Sequence, residues 1–467
     1  MNKLKKSLAL IAVLAIASTA FVACGGDSST GGTSTADNST SDNSTANGGE
    51  DAGALTVLAW NADDIGPMIT NFTDNTDYTT DQVVYQNVGT KGQEAREQYA
   101  TYFAGDGDVD LFFMEADWIL DYINKDEYTA PLTDLGFAVS DFDGCYKYTL
   151  SVGTDNNGVL KGVSWQATPG CYAYRTDLAS EYLGVSTPDE MQEYVKDWDT
   201  FTETAKKVKD EHDIAMVDSL GGMWQVWQYN RSSGWVVDGA LNVDEDYTKK
   251  YAELAKDYYD KGYVTTEDQW SDGWYVVTQD DSTLGAFVCT WCFGVNGVLS
   301  SMEGNSESTG TSIADATCDG PTGGKYNVCA GPSGWAWGGT WFGLSPKCNN
   351  KDIAADFVKY FTIDEESIEK YALFKGEFVN NPNVMKKIVD DKSNTNAYLG
   401  GQDQFSILYS AASTIDMGSI TAYDSQIKDA FNGAVSEFVK SSDQSVEDMI
   451  ENFKDKVAEA GLDITVE

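Results

Sequence analysis

Histidine is nearly missing from this chain: His212 is the single one in 467 residues. A histidine-rich zinc site or a Ser-His-Asp constellation therefore has almost nothing to draw on. No G-x-S-x-G elbow, H-E-x-x-H pair or P-loop occurs either, so the familiar marks of serine hydrolases, zinc proteases and nucleotide-binding enzymes are lacking. Basic residues are scarce as well, with 31 Lys plus Arg against 74 Asp plus Glu and a formal charge of −43. So negative a surface repels phosphate backbones, and no nucleic-acid partner is expected. It repels an anionic bilayer face equally, and the acidity itself is assigned to solubility rather than to a partner.

What the chain does have begins at its first residues. Lys3, Lys5 and Lys6 form a basic start, and Ser7–Ala17 is apolar but shorter than the roughly 20 residues a membrane span needs. Phe21-Val22-Ala23-Cys24 follows, then Gly25-Gly26. This pattern resembles the bacterial lipobox, which implies cleavage after residue 23 and acylation of Cys24, although Phe21 stands where Leu is usual. Residues 24–53 are then almost wholly Gly, Ser, Thr, Asp and Asn. Such a segment cannot bury enough surface to offset its ordering entropy and is expected to be a tether. Residues 1–23 are thus read as a signal peptide and the membrane contact as a lipid anchor.

Seven further cysteines form an odd set, Cys145, Cys171, Cys289, Cys292, Cys318, Cys329 and Cys348. An exported chain permits disulfides, but spacing does not give their connectivity. Cys289-Thr290-Trp291-Cys292 has CxxC spacing without a second CxxC or a nearby histidine, so a structural role is expected and no metal or cofactor is assigned.

The body after the tether is long enough for two domains. It opens on an apolar extended run, Ala54–Trp60. A second follows at Gln82–Tyr85, then a helical stretch at Gln93–Phe103 and a buried strand at Val109–Met114. This alternation predicts a parallel α/β layer, in which ligands bind beyond the carboxyl ends of the strands. Two such ends carry Trp60, Asp63 and Asp64, and Glu115, Asp117 and Trp118. Thr187-Pro188 with Glu190 three residues after the cap predicts a helix start. Phe201, Ala205 and Val208 share a second helical face, and Ile353, Phe357 and Phe361 a third. Tyr423, Ile427, Phe431, Ala434 and Phe438 predict another helix, and Ser445–Ala458 the last. With 13 Trp and 25 Tyr the chain is rich in rings, most densely between residues 220 and 345. Rings can cover the C–H faces of a sugar while carboxylates and amides pair with its hydroxyls.

The ordered set of motifs resembles the family-1 extracellular solute-binding proteins of ABC importers, the maltodextrin-binding-like group. Its members are the lipobox, the strand ending in Trp60, the run Gly107–Phe113, Gly162–Leu178, Gly285-Ala286-Phe287 before Trp291, and the helix from Asn350 after Leu344-Ser345-Pro346. The resemblance implies an α/β fold of the two-lobed, type II periplasmic-binding-protein kind, with each lobe a sheet flanked by helices. Lobe 1 is then expected at 54–167 plus 343–412 and lobe 2 at 170–338 plus 413–467. The crossings are expected near Gln166–Gly170, Gly338–Gly343 and Ser413–Thr421. It also implies a monomeric, non-enzymatic binding protein that takes a carbohydrate into the interlobe cleft and delivers it to importer permease subunits. The residues it marks for the ligand are Trp60, Asp63, Asp64, Glu115, Asp117, Trp118, Gln166, Trp224, Trp227, Trp291, Trp337, Trp341 and Tyr423. Met114 and Trp118 depart from the Trp and Arg usual at those positions. Two other readings share the aromatics and acids: a secreted glycan-active hydrolase, which needs two carboxyls about 5–9 Å apart, and a surface glycan tether that feeds no importer.

Overall fold

The computed structural model describes residues 53–467 apart from 61, 90–91, 106–108, 229, 294–297, 304–312, 414, 416, 418 and 422. The expected signal peptide, Cys24 and the expected tether up to residue 52 lie outside the described residues. The body begins with β1 (Leu55–Ala59), α1 (Ala62–Asp74), β2 (Val83–Asn87), α2 (Gly92–Ala104) and β3 (Leu111–Glu115). Two short helices, α3 (Leu120–Ile123) and α4 (Lys147–Val152), precede β4 (Gly162–Ser164) and β5 (Gly170–Arg175). Helices α5 (Thr176–Leu183), α6 (Pro188–Val195), α7 (Trp198–His212) and α8 (Leu220–Trp227) come next. A small hairpin, β6 (Val236–Val237) and β7 (Ala240–Leu241), leads to α9 (Glu245–Lys261) and α10 (Asp272–Gln279). Then follow β8 (Gly285–Cys289), α11 (Val298–Met302), β9 (Tyr326–Cys329) and β10 (Thr340–Leu344). Six helices close the chain: α12 (Lys351–Thr362), α13 (Glu365–Lys375), α14 (Pro382–Asp390), α15 (Phe405–Ala412), α16 (Asp424–Lys440) and α17 (Val446–Glu459).

Two sheets organise the body. The first has the order β2-β1-β3-β10-β4, with β1 parallel to both β2 and β3 and with β10 antiparallel to its neighbours. Strands β1 and β3 are almost continuously buried, as expected for strands covered on both faces. The second sheet, β8-β5-β9, is antiparallel, with β5 buried at every residue. Some of the acidity is spent on structure rather than on a ligand. Asp110 is buried and accepts from the Thr56, Asn349 and Asn350 backbone N–H groups at 2.8, 2.9 and 3.2 Å, tying β1 to the start of α12.

The sheets are joined where three extended segments lie side by side. Ala167 N–H donates to Phe378 and Asn380 N–H to Trp165, while Trp337 N–H donates to Thr168 and Gly170 N–H to Trp335. The first passage therefore runs through 165–169, between β4 and β5, and the second through 330–339, so that Thr340–Gly343 already belongs to the first sheet. The third passage differs from the sequence expectation: it lies at 376–380 rather than 413–421. From residue 396 the chain packs with the second sheet. Helix α15 lies on β5, and the Gln402 amide exchanges hydrogen bonds of 2.7 and 2.8 Å with the Val328 backbone in β9. Lobe 1 thus gives up the stretch through 412 that the sequence reading assigned to it. The seven body cysteines are free thiols, six of them buried. Burial pushes the Cys145 and Cys329 thiols up to about 12, which makes them packing residues rather than reactive ones.

Candidate functional site

Strand β3 ends at Glu115, and the chain turns at once so that Asp117 and Trp118 follow within one loop. The loop is pinned to the second passage by Ala116 N–H donating to the Gly339 carbonyl at 3.0 Å. Glycine is required beside it. A Cβ on Gly92 would come within 2.4 Å of the Glu115 carboxylate, so the bare start of α2 makes room for that group. Trp118 donates its indole N–H to Glu115 Oε2 at 3.3 Å.

Asp117 reaches out of lobe 1 and pairs with Lys428 of α16. Loss of hydration, with Asp117 as a second cause, raises Glu115 to about 7, although Lys428 and the Trp118 N–H pull the other way. Burial works against the Lys428 ammonium, but Asp117 and Glu115 outweigh it and hold its pKa above the usual lysine value. A second ion pair stands behind the first: Arg231 meets Asp424 at 2.8 Å, with its guanidinium 4.6 Å from the Trp235 ring centroid. Asp424 also accepts from Thr421 N–H at 2.8 Å. Asp117, Trp224, Gln228, Arg231, Asp424 and Lys428 enclose a space of only about 10 Å³, at the limit of what one water needs. Strand-end acids of lobe 1 thus close onto cations and a ring of lobe 2. Two buried polar atoms of the residues lining this space have no hydrogen-bond partner among the described residues, Trp224 Nε1 and Arg231 Nε. Orphaned donors of this kind cost about 1–3 kcal/mol each, and a perturbed carboxyl beside them is a mark of functional sites.

The other residues singled out from the sequence are distributed as follows. Trp60 is half-buried at the end of β1, with its ring edge-on to Phe113 and Trp118 at 6.3 and 5.9 Å. Trp118 belongs to the core rather than to a cleft surface, because Tyr99 and Tyr122 also pack against it. Trp341 is likewise buried in the first sheet, with its N–H given to the Thr149 carbonyl at 3.0 Å. Trp227 packs on Trp198 and Tyr247 inside lobe 2. Tyr423 is half-buried at the cap of α16, and Gln166 is buried in the first passage. Asp63 and Asp64 sit in the first turn of α1, and Trp291 in a short 3₁₀ turn after β8; their side chains lie outside the described residues.

Sequence reasoning missed Arg231, Gln228, Asp424 and Lys428. The available signal was scarcity, since a cation flanking the apolar face of α16 is uncommon in so acidic a chain. Trp270 fell within the Trp-dense stretch of the sequence but was not assigned to the ligand; it is 40% exposed, has φ 73° and lies 5.5 Å from the half-buried Trp337 ring, tilted by 31°. Trp337 itself lies in the second passage, and Trp274, which holds Trp270 from below, donates its N–H to buried Asp218.

Known proteins can be set beside this geometry. A solved extracellular solute-binding protein of family 1 superposes with TM-score 0.72 at 18% identity, covering 88% of this chain and 100% of that one. The ABC-transporter-associated binding protein of B. animalis subsp. lactis, solved with β-1,6-galactobiose, gives TM-score 0.64 at 18% identity over 88% and 98% of the two chains. The galacto-N-biose/lacto-N-biose I-binding protein of the Bifidobacterium longum ABC transporter, solved with lacto-N-biose, gives TM-score 0.65 at 15% identity over 90% and 100%. No curated protein matches the chain. These likenesses show the two-lobed fold. Residues 67–397 match the family described as bacterial extracellular solute-binding protein, and with most of its length so matched the chain belongs to that family.

Proposed function

We propose that this protein is a lipid-anchored, extracytoplasmic carbohydrate-binding protein that passes an oligosaccharide to the permease of an ABC importer. The observation that carries the reading is the meeting of Glu115 and Asp117 from one lobe with Lys428, Arg231 and the Trp224 ring from the other. Paired carboxylates and cations offer hydroxyls both acceptors and donors, and a ring offers an apolar face, which is the chemistry a sugar needs. The orphaned Trp224 and Arg231 N–H groups are donors such hydroxyls would satisfy. Similar structures solved with β-1,6-galactobiose and lacto-N-biose support the substrate class. The lipobox at Cys24 and the tether behind it support the anchor.

A hydrolase reading draws on one observation, the Glu115 carboxyl raised to about 7 beside a second acid. The binding reading is favoured because Asp117 is held by Lys428. Thermal-shift screening and calorimetry against glucose- and galactose-based saccharides, with maltose, β-1,6-galactobiose and lacto-N-biose among them, test the proposal. At least one should bind and remain uncleaved on long incubation. Binding only of amino acids or polyols would overturn the substrate class, and released sugar would favour the hydrolase.

A further inference from the structure

Lobe 2 holds a second cavity, of about 260 Å³, between the start of α8, α9, the 265–269 loop and α16. Trp224 is the wall it shares with the interlobe contact. That indole is rigidly seated, with Tyr251 at 5.0 Å and Phe431 at 5.1 Å. Tyr251 spends its hydroxyl on the Leu220 carbonyl and so offers the cavity its ring, and Tyr259 adds another. The same cavity is also lined by Gln269, Asn432 and Ser436, which carry amides and a hydroxyl. Gln269 lies tightly over the first turn of α8, where a Cβ on Gly221 would come within 3.1 Å of it. Its buried Nε2 has no hydrogen-bond partner among the described residues. Of the charged groups lining the cavity, Glu267 and Asp268 oppose Lys440 alone, a balance that disfavours an anion. The volume sits just below the roughly 300–1,000 Å³ of small-molecule sites, so it suits one ring rather than a chain. A lining that combines aromatic rings with neutral hydrogen-bonding groups matches an uncharged pyranose.

We propose that this pocket of lobe 2 is a second sugar site, sized for one ring, standing back to back with the interlobe site across Trp224. The inference rests on the carbohydrate reading of the interlobe site and adds a place that reading does not need. Two sources of the ring are distinguished by experiment: the far end of an oligosaccharide already held between the lobes, and a separate monosaccharide. Both require the same aromatic face and the same amide edge.

Calorimetry with α-1,4-glucosides and β-1,6-galactosides of one to five units tests it, using the full chain and a Ser436→Phe variant whose ring fills the half-buried pocket wall. If the ring belongs to a longer ligand, affinity should climb about tenfold or more with length in the parent. Ser436→Phe should then lose that climb while binding the shortest ligand as before. If the ring is a separate sugar, the parent should bind two molecules and Ser436→Phe one. Asn432→Leu removes a polar edge without bulk and gives the same readings should Ser436→Phe fail to fold. Two folded variants with the parent's length dependence and stoichiometry would overturn the second site while leaving the first intact. A parent that binds no saccharide would instead overturn the carbohydrate reading and this inference with it.

Discussion

Asp117, just beyond β3, is ion-paired with Lys428 in α16, 311 residues further along the chain. The two side chains are 17% and 22% exposed, so the pair is shielded without being sealed. It joins an acid of one lobe to a cation of the other. Lys428→Met should leave Asp117 and Glu115 as adjacent uncompensated carboxyls and cost about 1–3 kcal/mol. Urea unfolding would report the loss, and small-angle scattering of ligand-free protein should show a larger radius of gyration. A variant as stable and compact as the parent would remove the pair from the interlobe contact.

The raised Glu115 carboxyl gives a pH dependence with a defined sign. Its native pKa of about 7 lies above the ordinary 4.5, so between those values the native state holds a proton that the unfolded state has lost. Stability attributable to this group therefore falls as pH rises from about 4.5 through about 7, by at most ~3 kcal/mol, and is flat above. Asp218, raised to about 6 by burial, acts in the same direction over a lower window and is common to parent and variant. Glu115→Gln should gain stability relative to the parent between pH 5 and pH 8. Parallel profiles for the two proteins would show that Glu115 ionises freely.

Trp270 holds a left-handed backbone at φ 73° while presenting its ring beside Trp337. A bulky residue rarely adopts that conformation without a reason. We expect the ring to be a stacking platform; burying about 100 Å² of it against a ligand at ~25 cal/mol per Å² is worth roughly 2.5 kcal/mol. Trp270→Gly should weaken saccharide binding ten- to hundredfold while relieving about 1 kcal/mol of backbone strain. Trp291→Ala, after β8, should weaken binding over the same range. Unchanged calorimetric affinities in folded variants would return these rings to packing roles.

Trp341 should behave in the opposite way. It is buried against Gly153 and Gly162, with its N–H bonded to Thr149. Trp341→Ala should cost about 3–5 kcal/mol in urea unfolding and leave affinity unchanged at a temperature where the variant is folded. Weakened binding without destabilisation would place the ring at the ligand after all.

The anchor is testable without reference to the body. Cys24→Ala should be released from membranes or remain unprocessed, because no acyl chain can be added. Membrane fractionation like the parent's, with the same mature N-terminus, would refute it.

The sequence by itself determined the parts of this protein that depend on near neighbours. The helix start at Thr187 is where the sequence put it, with Glu190 N–H on the Thr187 hydroxyl at 3.3 Å, but the Glu190 carboxylate accepts from Ser186 N–H at 2.7 Å rather than from the cap residue's own N–H, so the box is not closed on Thr187. The strands around Leu55 and Leu111 and the helices around Phe357 and Phe431 fall where burial periodicity put them, because period and burial are local properties. The proposed export signal and lipobox rest on the sequence alone. Tertiary structure decided the rest. The third passage at 376–380 has no local pattern, since its extended backbone is satisfied by the distant Trp165 and Ala167. Which tryptophans are spent on the core, as Trp118 and Trp341 are, depends on the neighbours that folding brings. The pairing of Asp117 with Lys428 was invisible for the same reason: two charges so far apart in sequence become one interaction only when two separately built lobes meet.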